Sequence, residues 1–156
     1  SCNIQSGSVL GENVIVRSNT IIGCDGFGYE KDKDGCNIKF PHLGKVIVNN
    51  NVEIGSLCSI ARGTLDNTII NQGVKIDNHV YIAHNVLVGK NSMLMSGSKV
   101  NGSAKIGKNC WIGTGAMIRE GVSVSDNTIV GMGSVVVKNI NEESTVVGNP
   151  ARQVEG

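Results

Sequence analysis

At 156 residues with a formal net charge of +1, the chain is long enough for one domain with a core and carries no basic footprint for nucleic acid. Aromatic residues make up only 3% of it, so large rings cannot fill that core. No apolar run reaches membrane-spanning length and no charged-then-apolar leader opens the chain; five cysteines without a C-x-x-C pair suit a reduced, cytoplasmic setting.

The chain opens in a rhythm. An aliphatic residue stands at Ile4, Leu10, Val16 and Ile22, six positions apart. Residues 23–47 leave this phase for a Gly- and charge-rich excursion, GCDGFGYEKDKDGCNIKFPHLGKVI, where Phe and Tyr cluster. The phase resumes at Val48, Ile54 and Ile60, and a four-residue insertion, Asp66 to Ile69, interrupts it once more. From Ile70 to Val130 it runs without a break, through Ile76, Ile82, Val88, Leu94 and Val100. Four positions after each aliphatic residue comes a small or β-branched one, including Cys110 in the long array and Cys58 before it. Between them lies a residue that tolerates positive φ, such as Gly73, His79, Asn85, Asn91 or Gly97.

A helix needs a period near 3.6, which six cannot supply. A three-sided parallel β-helix does fit: one short strand per hexad, the aliphatic residue inside, the Gly/Asn position at the corner. The predicted fold is all-β, a parallel β-helix of about six coils stacked ~4.8 Å apart. Its repeat spans residues 1–141, with the loop excursion 23–47, and a tail of residues 142–156 follows.

Three strands of six residues put position n beside n+18. His84 then lies next to Gly102, followed by Glu120 and Lys138, and His79 lies over Gly97, Gly115 and Gly133. His84 flanks a corner and points outward, beside an unhindered N–H one coil on. That pairing suits acyl transfer, in which an imidazole removes a proton and an N–H meets the oxyanion. Taken alone, His84 also reads as a solvated corner residue, and His79 as a turn residue near the site. Asp66, eighteen positions before His84, is a candidate to orient the imidazole. Thr114 with Met132, and Gly113 with Gly131, share outer columns.

The stretches GCDGFGYEKDKDGCNIKFPHLGKVIV, VEIG and ARGTLDNTIINQGVKIDNHVYIAHNVLVG resemble the lipid A-pathway N-acyltransferases that act on UDP-3-O-acylglucosamine, over about residues 22–113. The D-G-F-G-Y and I-D-N-x-x-x-I-A-H-N-V motifs carry that resemblance. The C-terminal VGMGSVVVKNINEESTVVGNPAR is similar to acetyl-CoA-dependent (amino)sugar acetyltransferases. Both groups are left-handed hexapeptide-repeat β-helices, usually homotrimers with active sites between prisms. The resemblance implies His84 as general base and the Gly102 N–H as oxyanion donor. It implies Met93, Thr114 and Met132 at acetyl-CoA, which would be a co-substrate and not a permanent cofactor. Gly113 and Gly131 line the same groove, where a thin pantetheine arm could lie, with Lys138 and Arg152 toward the CoA phosphates. On the acceptor side it implies Asp77 and Asn78, with His79, Phe27 and Tyr29 adjoining.

The expected function is transfer of an acetyl or other short acyl group from acyl-CoA to the amine of a nucleotide-linked amino sugar in surface-glycan or lipopolysaccharide synthesis. No nucleic-acid partner and no membrane insertion are expected. Gly121 stands where the lipid A enzymes carry a second histidine, which argues against a long-chain donor on acyl carrier protein. Both groups also have an N-terminal sugar-binding domain, whereas this chain begins in repeat phase. The alternatives are a sugar O-acetyltransferase with the same site, an acyl carrier protein-dependent lipid A enzyme, a zinc protein like the γ-carbonic anhydrases, and a non-catalytic scaffold. The zinc reading would need His42 as a third ligand, and no metal is expected.

Overall fold

The computed structural model describes residues 1–154. Its strands are mostly two residues long, and there is no α-helix among the described residues, hence none long and apolar enough to cross a membrane. Three sheets run the length of the molecule and hold seven, six and eight strands. Tyr81–Ile82 belongs to the first face of the prism, Leu87–Val88 to the second and Met93–Leu94 to the third.

The eighteen-residue turn is explicit in the pairing. Tyr81 pairs with Lys99, Leu87 with Lys105 and Met93 with Trp111, all in parallel. In each strand one side chain faces out and the next, the aliphatic member of the hexad, faces in. Ile82, Leu94, Val100, Ile112 and Ile118 are all 0% exposed, and Cys58 and Cys110 pack beside them as small core residues. Each such aliphatic side chain contributes roughly 1.5–3 kcal/mol by leaving water. At the same positions of the first turn, Ile4 and Leu10 are 46% and 36% exposed.

Corners close through the left-handed conformation. His79, Asn85, Asn91, Ser103, Asn109 and Asn127 have φ between 54° and 60°, all at the hexad position read as the corner. Among L-residues Asn adopts this region most readily, which accounts for its abundance there.

Seven turns stack, one more than the hexad count gave. The additional turn uses Val135–Val136, a bridge from Val124 to Ile140, and Thr145–Val147. Thr145–Val147 lies in residues 142–156 yet pairs in parallel with the strand Ile129–Val130, and Arg152–Gln153 folds back on it antiparallel. Its core residue is Val146, but the segment before it lacks the six-residue phase.

Two segments leave the prism. After Cys24 the chain runs out into an antiparallel hairpin, Tyr29–Lys31 against Asn37–Lys39, and returns at Val46. The insertion expected at Asp66 to Ile69 instead occupies residues 62–67. Thr68–Ile70 is a regular strand, with Ile69 paired to Leu87. A bulge at a corner costs no core position, whereas Ile70 out of phase would lose one. Both departures emerge toward the corner between the first and second faces.

Candidate functional site

His84 sits at that corner, just past Tyr81–Ile82 and half-buried. Its Nδ1 lies 3.0 Å from the Asn85 side-chain oxygen. The orientation of that amide follows from its other partners. Oδ1 accepts from the Thr64 N–H at 3.1 Å and the Thr64 hydroxyl at 2.9 Å, while Nδ2 donates to the Asp66 carbonyl at 3.2 Å. An oxygen therefore faces His84, and Nδ1 must donate to it. In the neutral ring the free lone pair is then on Nε2, the form a general base requires.

Asp66 had been expected to orient the imidazole with its carboxylate. That expectation needs correction: the exposed Asp66 acts through its backbone carbonyl, and Asn85 makes the contact to the ring. The insertion shifts Asp66 out of the strand, so its side chain no longer stacks eighteen residues from His84. Gly44 and Gly63 are glycines because a Cβ on either would collide with that same carbonyl.

One turn on, Gly102 receives the ring. A Cβ at Gly102 would lie 2.7 Å from both Nε2 and Cε1 of His84. The His84 carbonyl accepts from the Ser103 N–H at 2.9 Å, which locks the two turns in register. Among the described residues no acceptor takes the Gly102 N–H. A proton acceptor and a free backbone donor thus adjoin on one edge.

The excursion brings a residue that the repeat could not place. His42 is 5% exposed, and its ring centroid lies 5.7 Å from that of His84, at 68° between planes. Gly26 fits between the two histidines. Phe27, beside it, is 85% exposed and packs against Tyr29 at 5.0 Å between centroids, the rings tilted by 58°. Lys39 and Asp25 form an ion pair at the base of the hairpin. That pair holds the Asp25 carboxyl below its ordinary value.

The remaining candidates lie elsewhere. Asp77, Asn78 and His79 are on the corner between the third and first faces, as are Thr114 and the 79%-exposed Met132. Asp77 Oδ1 accepts from the Asn78 N–H within its own corner, and Asn78 Oδ1 accepts from the Ser56 N–H of the preceding turn. They line an open groove of about 360 Å³ with Met93, Arg17 and Lys75. The glycines of this edge leave little space: a Cβ at Gly113 would lie 2.6 Å from the Val130 carbonyl, and one at Gly131 2.8 Å from Val147. Lys138 lies three turns beyond His84 and shares a cavity of about 410 Å³ with Arg152 and Glu142 at the C-terminal end.

Within one chain, then, His84 and Gly102 are on one edge and the Asp77, Thr114 and Met132 set on another. His79 and His84 occupy different corners, and among the described residues no three His, Cys, Asp or Glu side chains are grouped to hold a metal. Sequence reasoning gave Asn85 only the part of a corner residue, and it could not place His42 beside His84, because the excursion has no phase to locate it.

Residues 103–138 match the family described as bacterial transferase hexapeptide (six repeats). The chain carries the hexapeptide repeat of bacterial transferases. It is 54% identical over 144 residues to the UDP-3-O-acylglucosamine N-acyltransferase 2 of Legionella pneumophila, covering 92% of this chain and 42% of that protein. It is 54% identical over 142 residues to the UDP-3-O-acylglucosamine N-acyltransferase of Desulfotalea psychrophila, covering 91% and 41%. This hexapeptide-repeat chain thus spans less than half the length of those relatives. The likeness also extends well beyond the 22–113 span that the motifs carry. Among solved structures, a UDP-N-acetylglucosamine acyltransferase superposes with TM-score 0.86 at 21% identity, over 96% of this chain and 56% of the other. One from Bacteroides fragilis gives 0.83 at 20%, over 98% and 58%. Their shared fold is the parallel β-helix that the hexads predict, with the left hand that the resemblance implies.

Proposed function

We propose that this chain houses the transfer site of a sugar N-acyltransferase. It moves an acyl group from a thioester, acetyl-CoA or another short acyl-CoA, to the amino group of a nucleotide-linked sugar. The observation that carries this reading is the His84 ring lying on Gly102, with Nδ1 bonded to Asn85 and Nε2 left as acceptor beside a free N–H. The 54%-identical relatives, named as N-acyltransferases of an acylated UDP-sugar, support an amine acceptor.

In the proposed reaction the amine attacks the thioester carbonyl, forming the C–N bond as His84 Nε2 takes the amine proton. The carbonyl oxygen becomes an oxyanion opposite the Gly102 N–H. A preorganised donor of this kind is worth about 3 kcal/mol of transition-state stabilisation. Collapse breaks the C–S bond, and the imidazolium returns its proton to the departing thiolate. The acid–base exchange contributes roughly 10²–10⁴-fold.

Donor and acceptor contacts on the other edge reach His84 if two prisms pack side by side. A homotrimer supplies that arrangement three times by symmetry. Nucleotide sugars and acyl thioesters place the reaction in the cytoplasm.

A second reading, a longer acyl chain delivered by acyl carrier protein, is favoured by Phe27, Leu43 and Leu65, which are 85%, 71% and 72% exposed on the loops around His84. Thiol release should be measured with acetyl-CoA and with long-chain acyl carrier protein against UDP-linked amino sugars. Release from acetyl-CoA with one amino sugar supports the first reading, and release only from the long-chain donor supports the second. Release with no amino sugar, but with a hydroxyl sugar, overturns the amine acceptor.

A further inference from the structure

The proposed acid–base step uses neither His42 nor His79, and His42 is the most buried of the three imidazoles, at 5% exposure. No repeat phase holds it there. It follows Phe40 and Pro41 on the return of the hairpin, and its Nδ1 lies 3.0 Å from the Phe40 carbonyl oxygen. A carbonyl only accepts, so Nδ1 carries a proton and the neutral ring leaves a lone pair on Nε2. That Nε2 is buried, and among the described residues it has no hydrogen-bond partner. An unsatisfied buried polar atom is rare and unfavourable, so a reason for keeping it there is called for.

The neighbours supply one. The His42 ring meets His84 near-perpendicularly, the geometry that ring quadrupoles favour. A Cβ at Gly26 would lie 2.6 Å from His42 Nε2 and 3.1 Å from His84 Cβ, and one at Gly28 3.1 Å from His42 Cε1. Two glycines of the D-G-F-G-Y stretch therefore leave just the space that lets His42 rest on His84. His84 is then held at Nδ1 by Asn85, on one side by Gly102 and on another by His42.

We propose that His42 is a positioning residue for His84, fixing its ring in the orientation that turns Nε2 toward the transfer site. The inference rests on His84 being the base. It gives the excursion a part in catalysis, separate from any contact its aromatic residues make with the acceptor. His42 itself takes no proton from substrate, because its Nε2 is enclosed.

The test uses the full chain with His42→Ala, His42→Gln and Gly26→Ala. Gln restores a donor for the Phe40 carbonyl and most of the ring's volume, whereas Gly26→Ala displaces His42 without removing it. His42→Ala should lower kcat by roughly 10–100-fold, with KM changed less than about 3-fold, as expected for a base shifted by about an ångström. His42→Gln should recover most of that loss, and Gly26→Ala should reproduce it even if His42→Ala folds poorly. Imidazole ¹⁵N–¹H correlation spectra, recorded without substrate, should show His84 as one Nδ1–H tautomer in the parent and as a mixture in His42→Ala and Gly26→Ala. An unchanged His84 spectrum in Gly26→Ala, or in a folded His42→Ala, overturns the proposal. So does unchanged kcat. If the parent transfers no acyl group at all, the acyltransferase reading fails, while the spectra still decide the role of His42.

Discussion

The side-chain oxygen of Asn85 lies 3.0 Å from Nδ1 of His84 and simultaneously accepts from the backbone and hydroxyl of Thr64. One amide thus joins the corner that carries the proposed base to the insertion at residues 62–67. Asn85 has φ of 59°, so the residue that turns the chain also sets the tautomer.

Replacing that amide separates its two jobs. Asn85→Gly keeps the turn, since glycine adopts positive φ freely, but removes the acceptor for His84. Losing one such hydrogen bond should lower kcat about 10-fold. His84 should also lose its single tautomer in imidazole spectra. Asn85→Ala should add a stability loss, because alanine is strained at that φ; the difference in melting temperature between the two variants reads it.

Gly102→Ala should act on the site and not on the fold. Gly102 is not among the positive-φ positions, so alanine meets no backbone strain there. Its Cβ would however meet the His84 ring at 2.7 Å. Transfer should fall by about 10²-fold or more, as when an oxyanion donor is displaced. The melting temperature should shift by only a few degrees, measured by circular dichroism.

Truncating the interior should cost what a packed core costs. Leu94→Ala, at a position 0% exposed, should destabilise by about 2–5 kcal/mol in denaturant titration. Val9→Ala, at an outward-facing strand position 49% exposed, should cost well under 1 kcal/mol.

The hairpin should loosen in acid. Lys39 beside Asp25 lowers that carboxyl below its ordinary value of 3.8. A depressed carboxylate contributes stability above its unfolded pKa and loses it as pH falls through the folded one. The protection factors of the amides in residues 29–39, which are corrected for the intrinsic pH dependence of exchange, should therefore fall below about pH 4 in the parent. Protection should already be low at neutral pH in Asp25→Asn, while the amides of the Ile82 and Leu94 strands stay protected.

The prism was legible because its interior is nearly one-dimensional. Ile82, Val88 and Leu94 recur at six, and no other regular structure buries every sixth residue while placing Asn85 and Asn91 at positive φ. The neighbourhood of His84 and Gly102 followed from adding eighteen. What sequence could not place is whatever leaves that arithmetic. His42 reaches His84 through a hairpin whose path depends on the Asp25–Lys39 pair and on the space at Gly26. Asn85 was hidden for the opposite reason: its corner role alone accounts for an Asn. Val146 completes the last turn from a segment without phase, so the tail gave no sign of it.

The measurement that bears most directly on the account is the single-turnover rate of acyl transfer by His84→Ala, with a saturating thioester and amino sugar, compared with the parent. The account predicts a rate lower by roughly 10²–10⁴-fold, with both substrates still bound. A rate within about 3-fold of the parent, in a folded variant, would contradict His84 as the base and with it the transfer site described at this corner.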